Sequence, residues 1–106
     1  MKLFVLNNMI KGWFVGNFEP TALKTKEFEV AVKEYKAGDS EAPHFHKIAI
    51  ELTLVVSGEI MMNGIKLGPG SIVALDPMEE ARFSACTDAV TVVVKTPSLS
   101  DDKFLT

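Results

Sequence analysis

The chain has one arginine, Arg82, one cysteine, Cys86, and two histidines, and each scarcity removes a class of function. With a single arginine and a net charge of −3 there is no basic field to hold a phosphate backbone, so nucleic acid is set aside as a partner. One cysteine cannot close an internal disulfide, and without a disulfide framework the expected compartment is the cytoplasm. No apolar run approaches the ~20 residues of a membrane span. Asn7 and Asn8 interrupt the opening "MKLFVL" before the ~7 to 15 apolar residues of a signal sequence are complete. What remains is a 106-residue chain, 47% hydrophobic and 24% charged, sized for one core and one domain. Any ligand pocket must be carved from that core.

Helix signals are scarce as well. Glycine, proline and asparagine punctuate the sequence every several residues, and the runs between them are short and rich in Val, Ile, Leu, Phe and Thr, a pattern of all-β sandwiches and barrels. "KEFEVAVKEYKAG" alternates, with Phe28, Val30 and Val32 on one face and Glu27, Glu29, Ala31, Lys33 and Tyr35 on the other, and ends at Gly38. A strand from about Ile50 to Val56 turns at Ser57-Gly58 into a hairpin whose Asn63-Gly64 tip suits a type I′ turn. Gly68-Pro69-Gly70 is a further turn, and "SIVALDP", "ARFSA" and "AVTVVVKTP" supply the remaining strands.

These elements form one barrel over about 27–97, with a lead-in over 1–26 and a polar, loose tail over 98–106. The lead-in suggests one helical turn around Glu19 to Lys24, with Pro20 at its start and Leu23 pointing inward. Its aromatics Trp13, Phe14 and Phe18 are expected to fill the core or a dimer interface rather than to touch substrate.

The two histidines, His44 and His46, fall two positions apart, a spacing that random placement produces roughly once in fifty times. In an extended strand such side chains leave the same face, so both rings can aim at one point, at metal-bond distances of ~2.0 to 2.2 Å. Glu51 lies five residues beyond His46 and would face the other side of an uninterrupted strand. A shared site therefore requires a turn or bulge between Lys47 and Ile50. Glu51 sits in an otherwise apolar run, where an unpaired charge is costly to bury and calls for a cation, a metal or a strong hydrogen-bond donor. Two imidazoles and a carboxylate make the facial triad typical of iron(II), equally suited to Mn, Ni, Co or Zn. The plainer reading is a surface His-x-His with no ligand at all.

Gly38, His44, His46, Glu51 and Gly58 stand at the spacing glycine, five residues, His-x-His, four residues, Glu, six residues, glycine. At all five points the stretch resembles the first motif of the cupin family. The resemblance spans the strand-turn rhythm from about Phe28 to Thr96 and implies a double-stranded β-helix, a small jelly-roll barrel whose mouth holds the metal. The family's second motif is a glycine, five residues, Pro-x-Gly, two residues, His, three residues, Asn. With its first glycine on Gly70, Asp76 stands at the proline, Met78 at the second glycine, Ala81 at the histidine that would be a fourth ligand, and Ala85 at the asparagine. Three explanations stay open: a metal held by His44, His46 and Glu51 alone, a fourth ligand reaching back from Glu79, or a barrel that has lost its metal.

Strand parity sketches the pocket. If Ala81 points inward so does Phe83, while Glu80 and Arg82 point out; Thr53 and Val55 follow Glu51 inward. Met61 or Met62 would line the wall from the hairpin, Tyr35 would supply a phenol, and Cys86 would be a small buried hydrophobe. The expected function is binding of a divalent transition metal and action on a small organic molecule, of oxygenase or of isomerase or lyase type. The alternatives are a metal-free enzyme resembling the cupin-fold sugar-nucleotide epimerases and a non-catalytic module for a small, for example sugar-like, ligand. Single-barrel cupins commonly pair, and the apolar lead-in "LFVLNNMIKGWFVGNF" adds to the expectation of a homodimer.

Overall fold

The computed structural model describes residues 1–106, in which one 3-10 turn at Leu6–Asn8 precedes eleven strands. These are β1 (Trp13–Gly16), β2 (Leu23–Lys24), β3 (Glu29–Tyr35), β4 (His44–Phe45), β5 (Ile50–Ser57), β6 (Ile60–Met62), β7 (Ile65–Leu67), β8 (Ile72–Leu75), β9 (Phe83–Ala85), β10 (Ala89–Thr96) and β11 (Phe104–Leu105). One sheet runs in the order β2-β1-β3-β10-β5-β8. The second wall is built of β7-β6-β9 and of the β4-β11 pair, joined where Ser40 bridges Ser84 and His44 bridges Ala81. No helix is long and apolar enough to cross a membrane.

The period-2 pattern explains how the walls close. Along β5, Glu51, Thr53 and Val55 are buried while Ile50, Leu52 and Val56 are exposed, so alternate side chains enter the barrel. The core draws on both walls: Val55, Leu75 and Ala89 come from the large sheet, and Ile60, Met62, Ala81 and Phe83 from the facing wall. Val55 and Ile60 are fully buried, each contributing on the order of 1.5–3 kcal/mol relative to exposure. The Asn63-Gly64 tip has φ of 51° and 80°, as a type I′ turn requires, and it sets the register Met62 to Ile65. Gly58 is demanded twice, by its φ of +77° and because a Cβ there would lie 2.1 Å from the Asp88 carbonyl oxygen.

Of the two faces of β3, the barrel interior receives Glu29, Ala31, Lys33 and Tyr35, whereas Val30 and Val32 on the other face are half-buried. Three sequence expectations need correction. No helix forms at Glu19 to Lys24; β2 pairs in parallel with β1 there and leaves Leu23 exposed. The tail is not loose: β11 pairs with β4, Phe104 stacks on Phe45 with ring centroids 5.5 Å apart, and Ser98 and Asp102 are buried. Cys86 is exposed, since it falls just past β9 where the chain turns outward.

Candidate metal centre

Pro43 delivers the chain to β4 in extended form. There His44 pairs with Leu105 of β11 on one side and with Ala81 on the other. His44 and His46 leave the same face as expected, both buried, with rings 5.3 Å apart and nearly perpendicular at 85°. The chain then bends at Lys47 and Ile48, and Glu51 reappears on β5 with Oε2 3.9 Å from His44 Nε2 and 3.8 Å from His46 Nδ1. One donor atom from each of the three lies within 4.8 Å of the others. The bend between Lys47 and Ile50 is therefore what puts Glu51 back on the histidines' side.

Asp102 makes that bend, and sequence reasoning missed it. Its Oδ1 accepts from the backbone N–H of Lys47 at 3.0 Å and of Ile48 at 3.2 Å, and its Oδ2 from Ala49 at 2.8 Å. Burial by itself would raise this carboxyl, but the N–H groups of Ala49, Ile48 and Lys47 outweigh burial and hold it below the usual carboxylate range. Nothing local marked it: the partner lies 53 residues or more away along the chain.

The donor chemistry suits a cation. His44 Nδ1 lies 3.0 Å from the Ala42 carbonyl, which fixes that nitrogen as the N–H and turns the bare Nε2 toward Glu51. Burial first, then Lys95 and His44, pushes His46 down to about 4, so its ring is neutral at ordinary pH and keeps a free lone pair. Burial likewise raises Glu51 above the usual carboxylate range. Glu51 Oε2 and His46 Nε2 are buried with no hydrogen-bond partner. A buried, unpartnered carboxylate oxygen is costly unless a cation meets it, so the residues present fit a metal ion.

Ala81, which the second-motif alignment set at the histidine position, lies beside His44. Its N–H donates to the His44 carbonyl at 2.7 Å and its carbonyl accepts from His44 N–H at 3.1 Å, so the two side chains share the inner face and a methyl group occupies the fourth-ligand position. Glu79 does not reach back: it is exposed, and its Oε1 accepts from the Asp76 N–H at 3.1 Å within a turn. Thr53, Ala81 and Phe83 border a small inner cavity of about 20 Å³ beside the triad. Met62 lines it too, whereas Met61 is half-buried and faces away, the hairpin parity having selected its neighbour. Tyr35 packs on Phe83 and its hydroxyl donates to Glu41 at 2.9 Å; burial and then Glu41 push the phenol well above its ordinary value. Arg82 points out and pairs with Glu80 at 2.8 Å.

Outside the triad the barrel opens into a cavity of about 470 Å³ that reaches His44 and Glu51 and is bordered by Trp13, Phe18, Lys33 and Lys95. Two lead-in aromatics expected as core or interface filler, Trp13 and Phe18, therefore face a ligand-sized space. Burial lowers Lys33, with Lys95 among the cations adding to the effect.

No protein-family model matches the chain, and no curated protein matches it in sequence. Solved structures do. A conserved protein with a double-stranded β-helix domain from Klebsiella pneumoniae superimposes with a TM-score of 0.72 at 21% identity, over 98% of this chain and 90% of that one. The lyase DddQ of Ruegeria pomeroyi, which acts on DMSP, gives 0.73 at 21% identity over 89% of this chain but 49% of its own. An RmlC-like cupin from Shewanella frigidimarina gives 0.66 at 18% identity over 73% of this chain and 72% of that one. At such identities the likeness defines the fold alone: a double-stranded β-helix barrel like that of these structures, as the resemblance of the glycine-framed His-x-His pattern implied.

Proposed function

We propose that this barrel binds one divalent transition metal through His44, His46 and Glu51 and acts on a small organic molecule in its larger cavity, in an oxygenase or in an isomerase or lyase reaction. The observation that carries the reading is the buried Glu51 Oε2, left without a hydrogen-bond partner within 3.9 Å of two imidazole nitrogens. Three protein ligands leave up to three coordination positions for water, dioxygen or substrate oxygens, and a metal there supplies Lewis acidity and a template. The chain's own part is to fix the donors: Ala42 sets the His44 tautomer and Asp102 holds the bend that brings Glu51 into the set. Tyr35, tied to Glu41, orients as a donor and keeps its proton.

Elemental analysis of protein purified without a histidine tag checks this reading. Close to one metal per chain is expected, falling sharply in His44→Ala and in Glu51→Ala; a metal-free wild type overturns it. Oxygen uptake with an iron-loaded sample then separates oxygenase from isomerase or lyase.

A second reading has one observation in its favour. Ala81 places a methyl group across from His44, where a fourth ligand would stand, which supports a metal-free barrel that binds a small, for example sugar-like, molecule. The epimerase version loses ground, because a phenol raised by burial is a poor proton donor to substrate. For assembly we infer a homodimer. The lead-in leaves Leu3, Phe4, Val5 and Ile10 exposed, and Leu52, Val56 and Ile72 on the outer side of β5 and β8 add a second apolar surface. A monomeric mass by light scattering at micromolar concentration counts against pairing.

A further inference from the structure

The charge in the large cavity is not explained by the triad. Four lysines, Lys11, Lys33, Lys95 and Lys103, border it, in a chain whose net charge is −3. None of the four takes part in an ion pair, although the chain forms such pairs elsewhere, at Lys24 with Glu19 and at Lys66 with Glu59. The cavity's acids are engaged otherwise: Glu41 accepts from the Tyr35 hydroxyl at 2.9 Å, Glu29 from the Ser98 hydroxyl at 3.1 Å, and Glu51 belongs to the triad. Lys33 and Lys95 are half-buried and lie 5.0 and 4.9 Å from the Trp13 ring centroid, so two ammonium groups share one aromatic platform. Strand register places Lys95 directly across from Glu51 on β5, on the same side of the sheet.

We propose that Lys33, Lys95 and Trp13 form a subsite for the carboxylate of a small organic acid, whose other end reaches the triad. The proposal rests on the small-molecule reading above and narrows its substrate class. Four lysines against three glutamates leave about one uncompensated positive charge among the cavity's side chains when all are ionised, and a divalent ion at the triad would add two more, so the cavity favours an anion. Chemistry favours a carboxylate over phosphate: the only arginine, Arg82, points outward, so no bidentate fork is present, and the chain has no α-helix whose N-terminus could hold a phosphate. The indole face supplies apolar cover for the acid's carbon skeleton, and a cavity of about 470 Å³ holds a molecule of a few carbons to a small ring.

Trp13 is the only tryptophan of the chain, so quenching of its fluorescence by iodide reads this subsite directly. Lactate, pyruvate and crotonate, each beside its uncharged amide and beside inorganic phosphate, are titrated as protectants of the full chain, both metal-loaded and chelator-treated. At least one monocarboxylate is expected to protect saturably, its amide not at all, and phosphate several-fold more weakly. Lys33→Gln and Lys95→Gln should each weaken that protection about tenfold, consistent with loss of one charge-assisted contact, while Lys66→Gln leaves it unchanged. Protection by none of the three acids, equal protection by an amide, or unchanged affinity in both cavity variants overturns the subsite. Tighter binding of phosphate overturns the carboxylate assignment. A metal-free wild type that still shows carboxylate protection sinks only the metal reading, and one metal per chain without protection sinks only the subsite.

Discussion

The two ends of the barrel differ in what they bury. One end packs Val55, Ile60, Met62, Leu75 and Phe83 against each other. The other buries Glu29, His44, Glu51 and Ser98 at the edge of a cavity, and His46 and Asp102 as well. Both are closed by the same alternation of strand residues, so burial alone does not distinguish a core from a site. Satisfaction narrows it: at the polar end Glu29 and Asp102 have hydrogen-bond donors, whereas Glu51 Oε2 and His46 Nε2 have none. Thr91 Oγ1, across from Val55, is also buried without a partner, but it is a neutral hydroxyl, so the unpartnered ionisable groups are at the polar end alone.

Substitutions at each end should separate the two roles. The largest loss of stability is expected from Ile60→Ala at the packed end, about 2–5 kcal/mol by denaturant unfolding, with the metal content of the folded fraction unchanged. A parallel loss of metal would show that the ends are one cooperative unit. Asp102→Ala should cost less stability, about 1–3 kcal/mol for the stranded backbone donors, while lowering metal affinity about 10- to 100-fold because the bend between His46 and Glu51 loosens. Asp102→Asn keeps one acceptor oxygen and should recover part of both. If only stability falls, Asp102 is a structural staple.

The Asp102 contribution also has a defined pH course. Its carboxyl is lowered in the fold, so the unfolded chain takes up the proton first on acidification. The stabilisation is complete above the ordinary aspartate value of 3.8 and is lost as pH falls through the depressed folded value. The gap between wild type and Asp102→Ala in acid denaturation should close over that range.

Glu51→Gln tests the polar end from the opposite side. In chelator-treated protein, burial raises this carboxyl, so the ionised form destabilises the fold at pH above its folded value and the penalty vanishes below 4.5. The variant should therefore melt higher than wild type at neutral and mildly alkaline pH, with the difference shrinking on acidification, although it no longer holds metal. An equal or lower melting temperature at neutral pH would mean that Glu51 is already paid for by contacts other than a metal. The smallest effect is expected at Cys86→Ser: the thiol is exposed, and stability should stay within about 0.5 kcal/mol of wild type.

Much of the donor set was legible because it is local. Residues 38–58 carry both histidines, Glu51 and the framing glycines, and the five-residue gap to Glu51 by itself demanded a bend. Parity carried the reading from Glu51 to Thr53 and from Ala81 to Phe83, each a two-residue count along one strand, and these residues border the small inner cavity. It failed between Met61 and Met62, where a short hairpin strand allows either phase until its partners are known. It was silent about β3, because a barrel interior that is half cavity accepts Glu29 and Lys33 as readily as Ala31.

What the sequence determined by itself was therefore the β periodicity, the turns at Ser57-Gly58 and Asn63-Gly64, and the spacing of His44, His46 and Glu51, all set by backbone geometry over a few residues. Only the tertiary structure decided that Asp102 pins the bend from the far end of the chain, that Trp13 leaves the core for the cavity, and that Lys33 and Lys95 meet over its ring. Those contacts join β1, β3, β10 and the tail, and they exist because closing a twisted sheet into a barrel brings distant strands to one mouth.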